Sequence, residues 1–235
     1  MSAAAKAAPS ASERFDTVEA LLNERYSCRA YRSDPVPRAI IEKILKAAQR
    51  TASWCNSQPW HLVITSGAET ERLRRAMVEA ATSGEGASDF PWPREYLGVY
   101  QERRRESGFQ LYNAVGIPRG DKEGYARQGL ENFKFFGAPH VAIVTTTEPL
   151  GTYGAVDCGG YVATFMLAAQ ALGVASIAQA ALARQSNLLR KHFSLPDDRR
   201  VVCGISFGYA DESKPINGYR TSRAALGEAV TFVGE

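Results

Sequence analysis

Apolar residues recur with two spacings along this chain, one typical of helices and one typical of strands. Pro37 opens a predicted amphipathic helix whose apolar stripe is Ile40, Ile41, Ile44, Leu45 and Ala48. Short β-branched runs at 61–67 (HLVITSG), 141–147 (VAIVTTT) and 199–210 (RRVVCGISFGYA) predict strands, the last of them central in a sheet. Because helices and strands alternate without an internal repeat or a linker, the pattern predicts one α+β domain.

The same pattern predicts further helices and an irregular end of the chain. One helix begins at the capping signature Asp16-Thr-Val-Glu19 and ends near Glu24. Others span 69–81, the polar stretch containing ERRRE, 156–172 and 188–193. The 156–172 run is so rich in small and apolar residues that we expect it to be buried nearly all round. We expect residues 1–13 to be a disordered tail and the C-terminal tail to end in an edge strand.

Composition and charge exclude several classes of function. A net charge of +3 on 235 residues is too small to indicate nucleic acid or a membrane surface as a partner. No run approaches the roughly 20 apolar residues of a membrane span. The four cysteines form no CxxC pair, which favours reduced thiols in a cytoplasmic protein. The three histidines are isolated, so no metal site is expected.

The stretch 25–29 (RYSCR) has the residue types of an anion site. In an extended or turn geometry Arg25, Ser27 and Arg29 lie on one side, because alternate residues share a face. Two guanidiniums that flank a hydroxyl suit a phosphate, since arginine offers forked and permanently charged donors. A pair of solvated surface arginines explains the stretch equally well.

The stretch 53–61 (SWCNSQPWH) concentrates amides and indoles. Asn56 and Gln58 can both donate and accept, as the edge of an imide-like heterocycle requires, and Trp54 and Trp60 offer apolar walls. A nucleophilic Cys55 is disfavoured, since nothing places a base beside it. A plain helix-to-strand loop with a buried tryptophan remains the alternative.

Two more stretches extend this picture. Residues 173–180 (GVASIAQA) leave a helix with small side chains, which let backbone N–H groups approach a ligand. Tyr219, Arg220 and Arg223 add two guanidiniums in the irregular tail. Together the four stretches suit a ligand with a phosphate at one end and a planar polar heterocycle at the other. GxGxxG and GxxxxGK[ST] are absent, so neither a Rossmann nor a P-loop site is indicated.

In this combination and order, the four stretches resemble the FMN-dependent nitroreductase family, in particular its nitrobenzoate-reducing subgroup. RYSCR matches that family's R-x-S-x-R/K element, SWCNSQPW its P-S-x-x-N-x-Q-P-W element, LGVASIAQAAL its flavin loop, and Arg223-Ala-Ala-Leu its closing basic residue. The resemblance implies a nitroreductase-like α+β fold with a central, mainly antiparallel sheet flanked by helices and an extended C-terminal tail. It implies one FMN-binding domain over 14–235, with a variable helical segment that covers the substrate at about 82–137.

The resemblance also implies roles for individual residues. Arg25, Ser27 and Arg223 would hold the FMN phosphate, and Arg29 the pyrimidine edge. Ser53, Trp54 and Asn56 would reach the flavin from the partner subunit of a homodimer. A backbone N–H from Ala178 to Ala180 would face flavin N5, and Asn132 the ring edge. The full set of expected cofactor-binding residues is Arg25, Tyr26, Ser27, Cys28, Arg29, Ser53, Trp54, Asn56, Gln58, Asn132, Ala178, Gln179, Ala180 and Arg223.

The implied activity is a ping-pong reduction. NADPH or NADH reduces FMN and leaves, and a nitroaromatic compound is then reduced to nitroso and hydroxylamine products, with no catalytic side chain required. The aromatic residues between Phe90 and Phe136 are the expected substrate contacts, although core packing explains many of them. Ala52 and Trp54 depart from the family's usual proline and small residue, which alters the cleft at the flavin edge.

Three alternatives stay open at this stage. A flavin reductase of the same fold could act on a quinone, an activated alkene or a haloaromatic compound. A flavin-binding protein could lack turnover. A protein without flavin could use ERRRE as a basic interaction surface, although a solvated helix face is the plainer interpretation of those arginines.

Overall fold

A four-stranded antiparallel sheet lies at the centre of the computed structural model, which describes residues 8–84 and 86–234. Its strands are β1 (His61–Ser66), β2 (His140–Thr147), β3 (Ala175–Gln179) and β4 (Arg199–Gly208), in the order β1-β2-β4-β3. All three pairings are antiparallel, and β4 is an interior strand. The predicted α+β class, the antiparallel sheet and the central position of the last strand are therefore confirmed.

Helices cover both faces of this sheet. They are α1 (Ala11–Glu24), α2 (Arg38–Ala48), α3 (Ala68–Ser83), α4 (Val99–Ala114), α5 (Lys122–Leu130), α6 (Gly151–Ala171) and α7 (Ser186–Phe193). Alternate residues of β2 supply the two cores, as a strand buried on both faces requires. Ala142 and Val144 pack with α2 and α6, whereas Val141 and Ile143 pack with α3 and α7. Within the described ranges, no helix has the length and apolar character needed to cross a membrane.

The first helix begins five residues earlier than its sequence predicts. Ser10 is the N-cap, its hydroxyl accepts a hydrogen bond from the N–H of Glu13, and the Glu13 carboxylate accepts the N–H of Ser10 in return. This reciprocal pair forms a capping box at the start of the helix, so the signature at Asp16 lies inside it and was wrong as a start. Of the expected tail, residues 11–13 are helical, and residues 1–7 lie outside the described part of the chain.

Two other expectations for single elements were wrong. The α6 helix is not buried all round, because the side chains of Tyr153 and Val156 are 60% and 61% exposed in the single chain and Ala163 is exposed on the same face. The tail up to residue 234 has no strand among its described residues and forms only short 3-10 turns. Strands need a pairing edge, and within one chain none of the described strands pairs with the tail.

Candidate functional site

The predicted anion site is a cavity of about 510 Å³ between the end of α1 and the C-terminal tail. Its lining includes Arg25, Tyr26, Ser27, Arg29, Tyr219, Arg220 and Arg223. Ser27 forms an isolated parallel bridge with Ser176 of β3, and the N–H of Cys28 donates to the Ser176 carbonyl at 3.2 Å. The loop after α1 is therefore attached to the edge strand of the sheet, with the arginines on its open side.

Cys28 anchors this loop and does not line the cavity. Its side chain is fully buried, and Sγ lies 3.2 Å from the carbonyl oxygen of Ala30. Burial raises the pKa of the Cys28 thiol, so the group stays protonated and inert. Cys28 was expected among the cofactor contacts, but only its backbone is available for such a contact, because its side chain is buried.

The cavity holds a cluster of positive charge without matching acids. Within the described part of the chain, Arg25, Arg29, Arg220 and Arg223 form no ion pair with a carboxylate. Burial and, secondly, the charge of Arg223 lower the pKa of Arg25. The guanidiniums repel each other, and a doubly charged phosphate would offset this repulsion by supplying the negative charge that the cavity lacks. The donor set therefore fits the phosphate end of FMN.

Two polar residues that we did not predict as contacts organise this cavity. Nη1 of Arg29 donates to the Tyr219 hydroxyl at 2.8 Å and to the Ser27 carbonyl at 3.1 Å. Arg220 lies over the Tyr26 ring, 3.8 Å from its centroid. From the sequence, Tyr219 and Arg220 were counted in the four stretches that suit a phosphate-bearing ligand but not among the cofactor-binding residues, since nothing local shows that the tail folds back on residues 25–29. Folding brings Tyr219 next to Arg29, which lies 190 positions earlier in the chain.

The small-residue run that leaves α6 is an edge strand, and its prediction as a loop was wrong. Strand β3 pairs with β4 on one side only, and Ala178 and Ala180 are exposed. Gln179 between them is buried, and its amide donates to the Asn132 carbonyl at 2.9 Å and to Asn132 Oδ1 at 3.3 Å. The Ser206 hydroxyl donates to Oε1 of the same amide. Gln179 thus orients Asn132, while the two alanines present an exposed surface with small side chains.

The loop at residues 53–58 is folded tightly and lies in a different cleft. Cys55, Asn56 and Gln58 all have positive φ, at 51°, 54° and 48°. The loop is held by the N–H of Gln58, which donates to the Ser53 hydroxyl at 2.9 Å, and by the Gln58 side chain, which contacts Gln49 and Asn56. Such backbone strain in residues other than glycine persists where the surroundings fix it, and it clusters at functional sites.

Trp54 faces α6 and not the arginines. Its indole packs edge-on against Tyr153 at 4.5 Å between ring centroids, and the backbone N–H of Trp54 donates to the Asp157 carboxylate at 3.2 Å. With Cys55 and Leu150 these residues line a cavity of about 260 Å³ that shares no lining residue with the arginine cavity. A single chain therefore does not bring the two predicted halves of the site together. Asp157, which fixes this loop, carried no signal in the sequence.

One expectation for this loop needs correction. Trp60 is not a wall of a ligand cleft, because it is buried against Tyr161 and its Nε1 donates to Gln49 Oε1 at 3.0 Å. Cys55 is exposed in the single chain. Trp60 lies in the core directly before the first residue of β1, whereas the turn at Cys55 projects outward.

The chain is similar to several known proteins over most of its length. It matches the nitroreductase family over residues 22–209. It is 39% identical to nitroreductase NfnB of Mycolicibacterium smegmatis over 91% of this chain and 92% of that protein. It is 33% identical to a 4-nitrobenzoate reductase of Nocardioides sp. over 93% of this chain and 91% of that protein.

A solved structure resembles the fold equally well. The crystal structure of the FMN-dependent nitroreductase NfnB from Mycobacterium smegmatis in complex with NADPH superimposes with a TM-score of 0.90 at 36% identity. The match covers 94% of this chain and all of that one. Fold, sequence identity and family match agree over the same residues, and the protein is therefore a member of the nitroreductase family.

Proposed function

We propose that this protein is an FMN-dependent NAD(P)H oxidoreductase that reduces nitroaromatic compounds to nitroso and hydroxylamine products. The observation that carries the proposal is the cavity of arginines without acidic partners, whose lining residue Ser27 bridges Ser176 of the edge strand β3. The similar proteins, among them an FMN-dependent nitroreductase solved with NADPH and a 4-nitrobenzoate reductase, support it. Their names give the cofactor, a donor and a class of acceptor.

The residues of the cavity have distinct roles in this proposal. Arg25, Ser27 and Arg223 bind the FMN phosphate, and Arg29, held by Tyr219, lies towards the pyrimidine end. Farther along β3, the exposed backbone at Ala178 and Ala180 supports the ring system, whose edge Asn132 contacts. Small side chains at these two positions allow the close approach that a flat ring requires.

The chemistry itself belongs to the cofactor. When bound, FMN would supply the two-electron transfer from NAD(P)H to the nitro group, so no nucleophile or acid–base side chain is assigned. The chain binds and orients the ring, places positive charge from Arg29 near its pyrimidine edge, and limits the access of water. Stabilisation by a fixed charge of this kind is electrostatic preorganisation.

We propose further that the protein is a homodimer with shared sites. The supporting feature is a group of exposed apolar side chains on two helices that contact each other, namely Phe15, Val18 and Leu22 of α1 and Tyr153 and Val156 of α6. Exposed apolar side chains grouped in this way mark an interaction surface. Ser53, Trp54 and Asn56 then complete the flavin site of the partner, which accounts for their position in a separate cleft.

A cytoplasmic location is part of the same proposal. All four cysteines are free thiols. Two of them, Cys28 and Cys158, are buried where burial raises the thiol pKa, for Cys158 to about 11. Thiols kept reduced are usual in that compartment.

An absorbance titration of the purified protein tests the proposal. We expect a yellow protein that bleaches anaerobically with NADPH or NADH and recovers its colour when nitrobenzene is added. Recovery with a quinone or a haloaromatic compound but not with nitrobenzene would assign the enzyme to another acceptor. Bleaching without recovery by any acceptor would indicate a flavin-binding protein without turnover, and failure to bind FMN would overturn the proposal.

A further inference from the structure

A third cavity, which is apolar, lies beside Ala180, at the opposite end of β3 from the arginine cavity. It has a volume of about 180 Å³. One wall consists of Phe90, Pro91, Trp92 and Pro93, and the opposite wall of Ala180, Ala183, Val201 and Val202. Ser88 is its one polar lining side chain among the described residues. Because Ala180 belongs to the surface that supports the flavin ring in the proposed function, the cavity adjoins the place where that ring would lie.

The first wall belongs to an irregular segment, residues 86–93, whose conformation is fixed by contacts outside itself. Ala87 forms a parallel bridge with Gln185, and the N–H of Ser186 donates to the Ala87 carbonyl at 3.2 Å. A Cβ atom added at Gly86 would lie only 2.8 Å from the carbonyl oxygen of Arg184. The segment is therefore laid directly against the backbone that follows β3.

Asp89 provides the strongest of these attachments. Its carboxylate, whose side chain is 8% exposed, accepts from Arg190 Nη2 at 2.8 and 2.9 Å and from the N–H of Val201 at 2.7 Å. The guanidinium of Arg200 lies 3.8 Å away. Arg190 also donates to the Arg199 carbonyl at 2.9 Å, so one buried ion pair links the segment to α7 and to the first residue of β4. Buried, multiply bonded charges of this kind specify a single conformation.

We propose that Asp89 is a positioning residue for the acceptor, which holds Phe90 and Trp92 as the fixed wall of an apolar pocket that begins at Ala180. The inference rests on the proposed function, since it assigns the place where the substrate of that reaction lies. Phe90 follows Asp89 directly, and Trp92 is braced by a hydrogen bond to Ser88 and by Arg184, whose guanidinium lies 5.7 Å from the ring centroid. The pocket takes an uncharged aromatic ring or its apolar substituent, because its lining offers no cation for a charged one.

The test separates the oxidative half-reaction from cofactor binding. Protein reduced anaerobically by light, with EDTA as the electron donor, is mixed with nitrobenzene or with ferricyanide, an acceptor that needs no pocket. For Asp89→Asn we expect the concentration of nitrobenzene at half-saturation to rise about tenfold, the penalty of ordering one or two side chains upon binding. We expect the FMN affinity and the ferricyanide rate to stay at their wild-type values.

Gly86→Ala and Asp34→Asn complete the design. Gly86→Ala shifts the same segment by a clash with the Arg184 carbonyl and leaves the Asp89–Arg190 ion pair intact. It therefore replaces Asp89→Asn as the test if the Asp89→Asn protein does not fold. Asp34→Asn removes a carboxylate that pairs with an arginine on the surface, where Asp34 is 54% exposed, and should behave as wild type. Unchanged half-saturation in both segment variants would overturn the proposal. Equal losses with nitrobenzene and ferricyanide would overturn it too, because they indicate a general structural role. A wild-type protein without flavin would instead refute the proposed function.

Discussion

The backbone N–H of Arg29 donates a hydrogen bond of 2.8 Å to Oδ1 of Asn217, a residue 188 positions later in the chain. Nδ2 of the same side chain donates to the Ala30 carbonyl at 2.8 Å and to the Asp211 carbonyl at 3.0 Å. Asn217 is only 4% exposed. One buried amide therefore joins the loop after α1 to the C-terminal tail, the two elements that form the arginine cavity.

Asn217→Ala should weaken both the fold and the binding of FMN. The substitution leaves the N–H of Arg29 without a partner in a buried place and removes one of the hydrogen bonds to each of the Ala30 and Asp211 carbonyls. These losses should lower the free energy of unfolding by about 2–4 kcal/mol. It also frees the tail that carries Arg223, so FMN should dissociate more readily. Urea unfolding and a flavin fluorescence titration measure the two effects. Asn113→Ala, on the exposed side of α4, is the matched control, and equal results for the two variants would contradict the prediction.

Arg25→Met should distinguish phosphate recognition from ring recognition. A hydrogen bond to a charged group contributes about 1.5–3 kcal/mol, so the FMN dissociation constant should rise about 10- to 100-fold. Riboflavin, which has no phosphate, should bind the variant and the wild type equally well. Arg38→Met removes an arginine whose side chain is 83% exposed and serves as the control. Equal losses for FMN and riboflavin would remove Arg25 from the phosphate site.

Val156→Glu should dissociate the proposed dimer. Its side chain is 61% exposed on the apolar face of α6, so in a dimer the new carboxylate would be buried without a partner. Such a charge costs about 2–5 kcal/mol, which raises the dimer dissociation constant at least about 30-fold. Light scattering over a range of protein concentrations measures the shift. Ala47→Glu, on the exposed side of α2, should leave the molecular mass unchanged.

Stability should fall as the solution becomes more acidic, and His140 should account for part of the loss. Its Nε2 accepts the N–H of Val36 at 2.9 Å, and burial lowers its pKa below the usual 6.5. The unfolded chain then binds the proton more tightly than the folded one. The stabilisation is complete above about pH 6.5 and is lost as the pH falls towards the lowered folded-state pKa.

His140→Gln should therefore reduce the dependence of stability on pH. The free energy of unfolding, measured with urea from about pH 7.5 down to pH 5, should change less in the variant than in the wild type. His61 and His192, whose pKa values burial also lowers, keep a residual slope in both proteins. Identical slopes would show that His140 does not titrate differently in the folded and unfolded chains.

Local patterns sufficed to predict the elements that a single face or a short motif defines. The stripe from Ile40 to Ala48 predicted α2, and β-branched runs predicted β1, β2 and β4, because burial of a periodic face depends on nearby residues alone. The grouping of Arg25, Ser27 and Arg29 followed from alternation in an extended loop. The family resemblance, and no local pattern, assigned Arg223 to the same phosphate site as Arg25 and Ser27.

Other features depend on contacts that no local pattern records. The segment Ala175–Gln179 forms strand β3 because it pairs with the edge of β4. Its small side chains show no strand pattern, so the sequence predicted a loop there. Trp60 enters the core because β1 begins beside it, while Trp54 six positions earlier stays exposed. Asn217 and Asp157 are isolated polar residues whose partners are distant in sequence. The exposed side of α6 was predicted to be buried because apolar composition alone does not show which faces of a helix other elements cover.

The separation of the arginine cavity from the Trp54 loop has a genetic consequence in the proposed dimer. Each chain contributes the phosphate cavity of one site and lends its loop to the other. A mixed dimer of an Arg25→Met chain and an Asn56→Ala chain gathers both defects in one site and leaves its second site entirely wild type. Two defective alleles would thus complement each other in the same cell, whereas a dimer of either damaged chain with an intact chain would keep one of its two sites.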